Sequence, residues 1–166
     1  MLTDALASAA IDVAFMPVDE ERKKRLEFGP AYCLVESTYM VTAASGIRTL
    51  AEVDRPGVRV VGIANTTTIR AASRYSLRNT TPIAATSIDD AVAMLRAGQA
   101  DAFALGRDSL PPFVAEFPGS HIVDGAVGFF GATTVVHENL GACRSQRKRA
   151  GAPHTARSAC DEGGFS

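Results

Sequence analysis

An α/β fold is what the sequence predicts, on three observations. Val58 to Ile63 is a short, β-branched apolar run of the kind buried in a parallel sheet. It passes directly into a helical pattern, with Ile69, Ala72, Ser73 and Ser76 at helical spacing. From the Thr49-Leu-Ala-Glu52 capping box onward, helix and strand patterns alternate at a spacing that implies parallel strands with right-handed crossovers. The 166 residues, 46% hydrophobic, suffice for one good core or two small lobes.

The elements follow in order. Leu2, Leu6, Ala9 and Ala10 line one side of a short helix, and Ile11 to Phe15 reads as a strand closed by Pro17. Asp19 is placed to cap a charged, single-turn helical segment that runs to Arg25. Phe28 to Tyr32 is a turn, and Cys33 to Thr42 is rich enough in Val, Tyr and Thr to be a strand. The small residues Ala43 to Gly46 then mark the start of a second lobe. Pro82 to Ala85 reads as a weak strand, and Ser87 with Asp90 boxes the start of a helix faced by Ile88, Ala91, Val92 and Leu95 and ended by Gly98. Ala100 to Leu105 is a strand, Ser109 to Glu116 a short helix, and His121 to Val123 another strand; Gly128 to Val136 is extended and apolar. Leu140 is the last aliphatic residue larger than alanine, so the tail from Gly141 reads as disordered.

Several classes are disfavoured. A formal net charge of −1 lacks the basic excess that phosphate-backbone binding needs, and no apolar run approaches the roughly 20 residues of a membrane span. Met1-Leu-Thr-Asp does not open a signal peptide. Cys33, Cys143 and Cys160 form no close pair, and with His154 they match no standard metal site. The basic cluster Arg144, Arg147, Lys148 and Arg149 reads as a solvated tail.

Attention falls on Asn65, Thr66, Thr67 and Thr68, at the turn from strand to helix, where unpaired backbone N–H groups favour an anion. A second reading fits the same residues: Thr67 or Thr68 caps its own helix.

The order of motifs carries a resemblance. Glu21-Arg22-Lys23-Lys24, Phe28-Gly-Pro-Ala-Tyr32, Ile47-Arg-Thr-Leu-Ala-Glu52, the Thr-rich turn and the stretch Ala91 to Phe103 together resemble family 3 extracellular solute-binding proteins. These are the type II periplasmic binding proteins of ABC importers, best known for polar amino acids. The resemblance implies a periplasmic-binding-protein-like type II fold: one intact α/β lobe and a partial first lobe joined by two hinge strands, Glu36–Thr42 and Phe129–Val136. Partial lobe 1 with its hinges would be 1–42 and 125–140, lobe 2 would be 43–124, and 141–166 the tail. Segments of family members that precede the point matching Leu2, and their closing helices, have no counterpart here, so lobe 1 reads as a remnant with exposed sheet edges prone to self-association.

By the same resemblance, Arg22 stands where the family arginine grips a ligand carboxylate, a task suited to a guanidinium fork. Thr66 and Thr67 match the loop that meets the same carboxylate, with Asn65 and Thr68 beside them. The loop around Phe15 is shorter and more apolar than in amino-acid binders. Gly106 stands where the family acid accepts the ligand ammonium, and Asp108, two places on, either substitutes or caps the following helix. The implied function is capture of a small anionic solute, an amino acid or organic acid, for an ABC permease, in the periplasm or outside the cell. No cofactor or metal is implied. The rivals are a cyclohexadienyl-dehydratase-like lyase of the same fold, a sensory ligand-binding domain and a non-functional truncated fragment. Against the first, His121, His137 and His154 supply no paired acid and base.

Overall fold

The computed structural model describes residues 2–136. The tail, its basic cluster, Cys143, His154 and Cys160, and His137 ahead of it, all lie outside the described residues. Two compact units divide the rest: residues 2–16, 20–30 and 133–136 form the first, and 17–19 with 31–132 the second.

In the first unit, α1 (Leu2–Ala7) is followed by β1 (Val13–Pro17) and α2 (Glu20–Lys23). The strand starts two residues later than expected because α1 unwinds slowly: Ala9 takes a left-handed φ of 57° and the N–H of Ile11 still donates to the Ala5 carbonyl. Burial alternates along β1, with Ala14 and Met16 inside and Val13 and Phe15 outside. Ala14 and Met16 pack with Leu6 and Val135, and Ile11, Leu26 and Phe28 close over them. Thr133, fully buried, donates to the carbonyls of Gly29 and Pro30 and so ties down the Gly-Pro turn.

The second unit holds β2 (Cys33–Val41), β3 (Val60–Ile63), β4 (Ile83–Ala85), β5 (Ala102–Gly106), β6 (His121–Ile122) and the first part of β7 (Gly128–Val136). Their order is β7-β2-β5-β3-β4, with β6 also beside β2. The expected parallel sheet is only partly so. β3 runs parallel to β4 and β5, whereas β2 runs antiparallel to β5, β6 and β7. The reason is local: parallel strands need a crossover, and between β2 and β3 the chain makes two short 3-10 segments, Ala43–Ser45 and Leu50–Asp54, instead of a crossover helix. The Thr49-Glu52 box opens the second of these; Glu52 accepts from the N–H groups of Arg48 and Thr49 at 2.7 and 3.2 Å.

This sheet is buried on both faces. Tyr39, Val41, Val60, Ala102 and Ala104 point to one layer, with Ile47, Val53, Ala71 and Ala72. Met40, Val61 and Phe103, their neighbours in sequence, point to the other. There they meet α4 (Ile88–Arg96), through Ala91 and Leu95, and α5 (Pro111–Glu116), where Phe113 sets its ring edge-on to Phe103 at 5.4 Å. Ser87 caps α4 by accepting from the Asp90 N–H, and Gly98, with φ of 64°, ends it as the sequence predicts. Burial pushes the Tyr39 phenol up to about 12.

At the edge where β3 and β5 begin, a hollow of about 300 Å³ lies between Thr42, Leu95, Asp101 and Phe117. Arg59 lines it, donating to both Asp101 carboxylate oxygens and to the Gly98 carbonyl. Those bonds from Arg59 hold the Asp101 carboxyl below its ordinary range. A lowered folded pKa contributes stability that is present at neutral pH and lost as pH falls through the carboxylate range. Asp101→Asn should therefore cost about 1 kcal/mol at pH 7, with the gap to the parent closing below about pH 4, as urea titrations across pH would measure.

Candidate functional site

Gly62 lies in the middle of β3 and has no side chain for a reason. A Cβ there would sit 3.2 Å from Ile69 of α3 (Thr67–Ala71), so the glycine lets the helix press onto the strand. That contact fixes the intervening turn at the C-terminal end of β3. The end of β5 lies beside it, since Gly62 pairs in parallel with Ala104. Asn65 to Thr68 and Asp108 thus belong to one edge of the sheet, the edge at which open α/β sheets hold ligands.

Each hydroxyl of the turn has an internal partner. Thr66 Oγ1 donates to the Ile63 carbonyl at 2.7 Å and accepts from the Ile69 N–H at 3.3 Å. The N-cap is therefore Thr66, one residue ahead of Thr67 and two ahead of Thr68, the expected caps, because Asn65 takes the left-handed φ of 61° that turns the chain into the helix. Thr68 shares a 2.9 Å hydrogen bond with Ser37 of β2, itself fully buried. Thr67, 5% exposed, donates to Asp19 Oδ2 at 2.8 Å. The same oxygen is paired with the guanidinium of Arg70.

Asp19 thus has partners distant in sequence that the helix cap expected of it does not include. Pro17–Asp19 belongs to the second unit, and its carboxylate is drawn to a hydroxyl and a guanidinium there. Ser37 and Arg70 went unnoticed in the sequence as well. The only hint of Arg70 was its place three residues beyond Thr67, on the same helix face.

The other named residues divide between the units. Asp108 is exposed in the 3-10 turn Arg107–Ser109, whose N-cap is Gly106. It does not cap the following helix: α5 starts at Pro111 without a side-chain cap. Arg107, next to it, donates through Nε to Glu36 at 2.6 Å and through Nη2 to the carbonyls of Val123 and Gly125. In the first unit, Arg22 is half-buried in α2 and Phe15 is 64% exposed on β1.

Comparison with solved structures decides the fold. A binding component of an ABC transporter from Wolinella succinogenes, in complex with lysine, matches with a TM-score of 0.70 and 20% identity over 90% of this chain and 70% of its own. The arginine-bound, truncated ArgBP of T. maritima matches at 0.71 and 26%, over 85% and 66%. The chain has the fold of a type II periplasmic binding protein. The GluR0 ligand-binding core in complex with L-glutamate shares this fold at 0.69 and 17%, over 82% of this chain and 63% of its own. The chain spans about two thirds of the length of these type II structures. No protein-family model and no curated protein matches it.

Two variants test how this binding-protein fold positions its turn. Thr66→Ala should cost about 1 kcal/mol of unfolding free energy, and Thr66→Ser should recover most of it, in guanidinium melts. Gly62→Val should cost about 1–3 kcal/mol in the same measurement by forcing Ile69 and α3 off β3.

Proposed function

We propose that this chain is the solute-capturing component of an ABC importer and that its solute carries a carboxylate, as an amino acid or organic acid does. One observation supports this above the others: neighbours of the same fold hold lysine, arginine and glutamate. Those three differ in side-chain charge and share an α-amino acid head. That head carries a carboxylate beside an ammonium; the carboxylate is the group the proposal rests on, and a net negative charge on the whole solute is its narrower form. On this reading Arg22 and the Asn65–Thr68 turn address the carboxylate, with Phe15 and Asp108 at the margins.

Residues 43–124 would act as lobe 2, and the strands β2 and β7 as hinges, with 1–42 and 125–140 making up lobe 1. Closing would be a hinge motion driven by better binding to the closed form than to the open one. No bond is made or broken. The compartment would be the periplasm or cell exterior, and the partner a membrane permease. No helix among the described residues is long and apolar enough to cross a membrane itself.

An NMR titration, which reads weak binding as well as tight, tests the assignment. Lysine, arginine, glutamate and succinate should shift the amides of residues 65–69, and Arg22→Ala should weaken the binding tenfold or more. The decarboxylated analogues cadaverine and agmatine should leave those amides unmoved. Equal shifts from the decarboxylated compounds, or none from any carboxylate, would reject the proposal.

A further inference from the structure

Two donors on one face of α3 converge on a single carboxylate oxygen. Thr67 Oγ1 and Arg70 both hold Asp19 Oδ2, and the Asp19 side chain is only 11% exposed. This is the chemistry of a carboxylate receptor: a hydroxyl and a guanidinium, three residues apart, aimed at one anion. Its occupant is a side chain of the same protein.

The fit is incomplete, however. Asp19 meets Arg70 through Nη2, while the Arg70 Nε–H is buried without any acceptor. A guanidinium grips a carboxylate best through two parallel bonds, one from Nε and one from Nη. A buried donor left unmatched favours whatever supplies its acceptor. Tethered to the short Pro17–Asp19 segment, Asp19 satisfies one prong of the fork; an untethered carboxylate has the freedom to satisfy both.

We propose that Thr67 and Arg70 form a carboxylate-binding site whose resident ligand is Asp19, and that an external carboxylate gains the site by displacing it. Asp19 is then an internal competitor. It neutralises Arg70 in the unliganded protein and sets a threshold that an entering carboxylate must exceed. Because Thr67 belongs to the turn assigned above to the solute's carboxylate, this inference rests on that reading, while the Asp19 contact itself is given by the geometry.

Removal of the resident tests this directly. Asp19→Gly should lower the melting temperature by several degrees. Formate, acetate or glycine, added at tens of millimolar against chloride at equal ionic strength, should restore it along a saturating curve. The parent should respond only at higher concentration, because Asp19 must first be displaced, and Asp19→Gly combined with Arg70→Met should lose the response. Acetate and glycine in parallel separate a bare carboxylate from that of an amino acid, and saturating rescue by either supports the site. Absence of rescue, or equal rescue in the double variant, overturns it. Should Asp19→Gly fail to fold, Asp19→Asn keeps the side-chain volume and removes the charge. Its Arg70 Nε–H resonance should then move saturably with added formate, and a resonance that stays still overturns the proposal.

Discussion

The pairing of β3 with β5, covered by apolar side chains above and below, is the constraint on which the rest of the second unit depends. Val60 and Val61 point to opposite layers, as do Ala102 and Phe103, so each strand is locked in register twice over. A slip of one residue would exchange the layers and bring Phe103 into space shaped for alanine. With register fixed, the ends of both strands are fixed, and the polar residues that follow them inherit defined positions. Gly62 extends the same control to the helix, because the closeness of Ile69 to β3 determines where the turn before it must run.

Much of this was legible in the chain. Alternation of apolar runs with helical spacing located β3, α4 and β5, and Ser87 and Gly98 marked the two ends of α4 through local hydrogen bonding and left-handed geometry. Those signals are short-range, so sequence carries them well. Strand direction is different. Nothing within residues 33–41 says that β2 must run against β5; that follows from the kind of connection leaving it, which is read only once the 3-10 segments are seen.

The candidate site was legible in part for a related reason. The Thr-rich turn announced itself by composition, but its bonding did not. Thr66 caps because Asn65 takes up the left-handed conformation, a choice between adjacent residues that spacing does not resolve. Asp19 lies 48 residues from Thr67 and 51 from Arg70 in the chain. Its local sequence points only to the helix it precedes, and folding brings the distant hydroxyl and guanidinium to it. The outcome also changes the electrostatic picture. A turn flanked by an Arg70 already paired with Asp19 carries less positive charge than its guanidinium alone would give it.

Arg107 binds together chain segments that are remote in sequence. One side chain reaches Glu36 in β2 and two carbonyls in the stretch that leads from β6 into β7. Thr38, two residues along β2 from Glu36, reaches the Gly125 carbonyl as well. A planar cation with several fixed N–H directions can serve acceptors on both passes at once, whereas an ammonium on a flexible stem cannot reproduce that spread. Arg107 thus adds a side-chain clamp to the backbone bonds by which β2 already holds β6, β7 and the stretch between them.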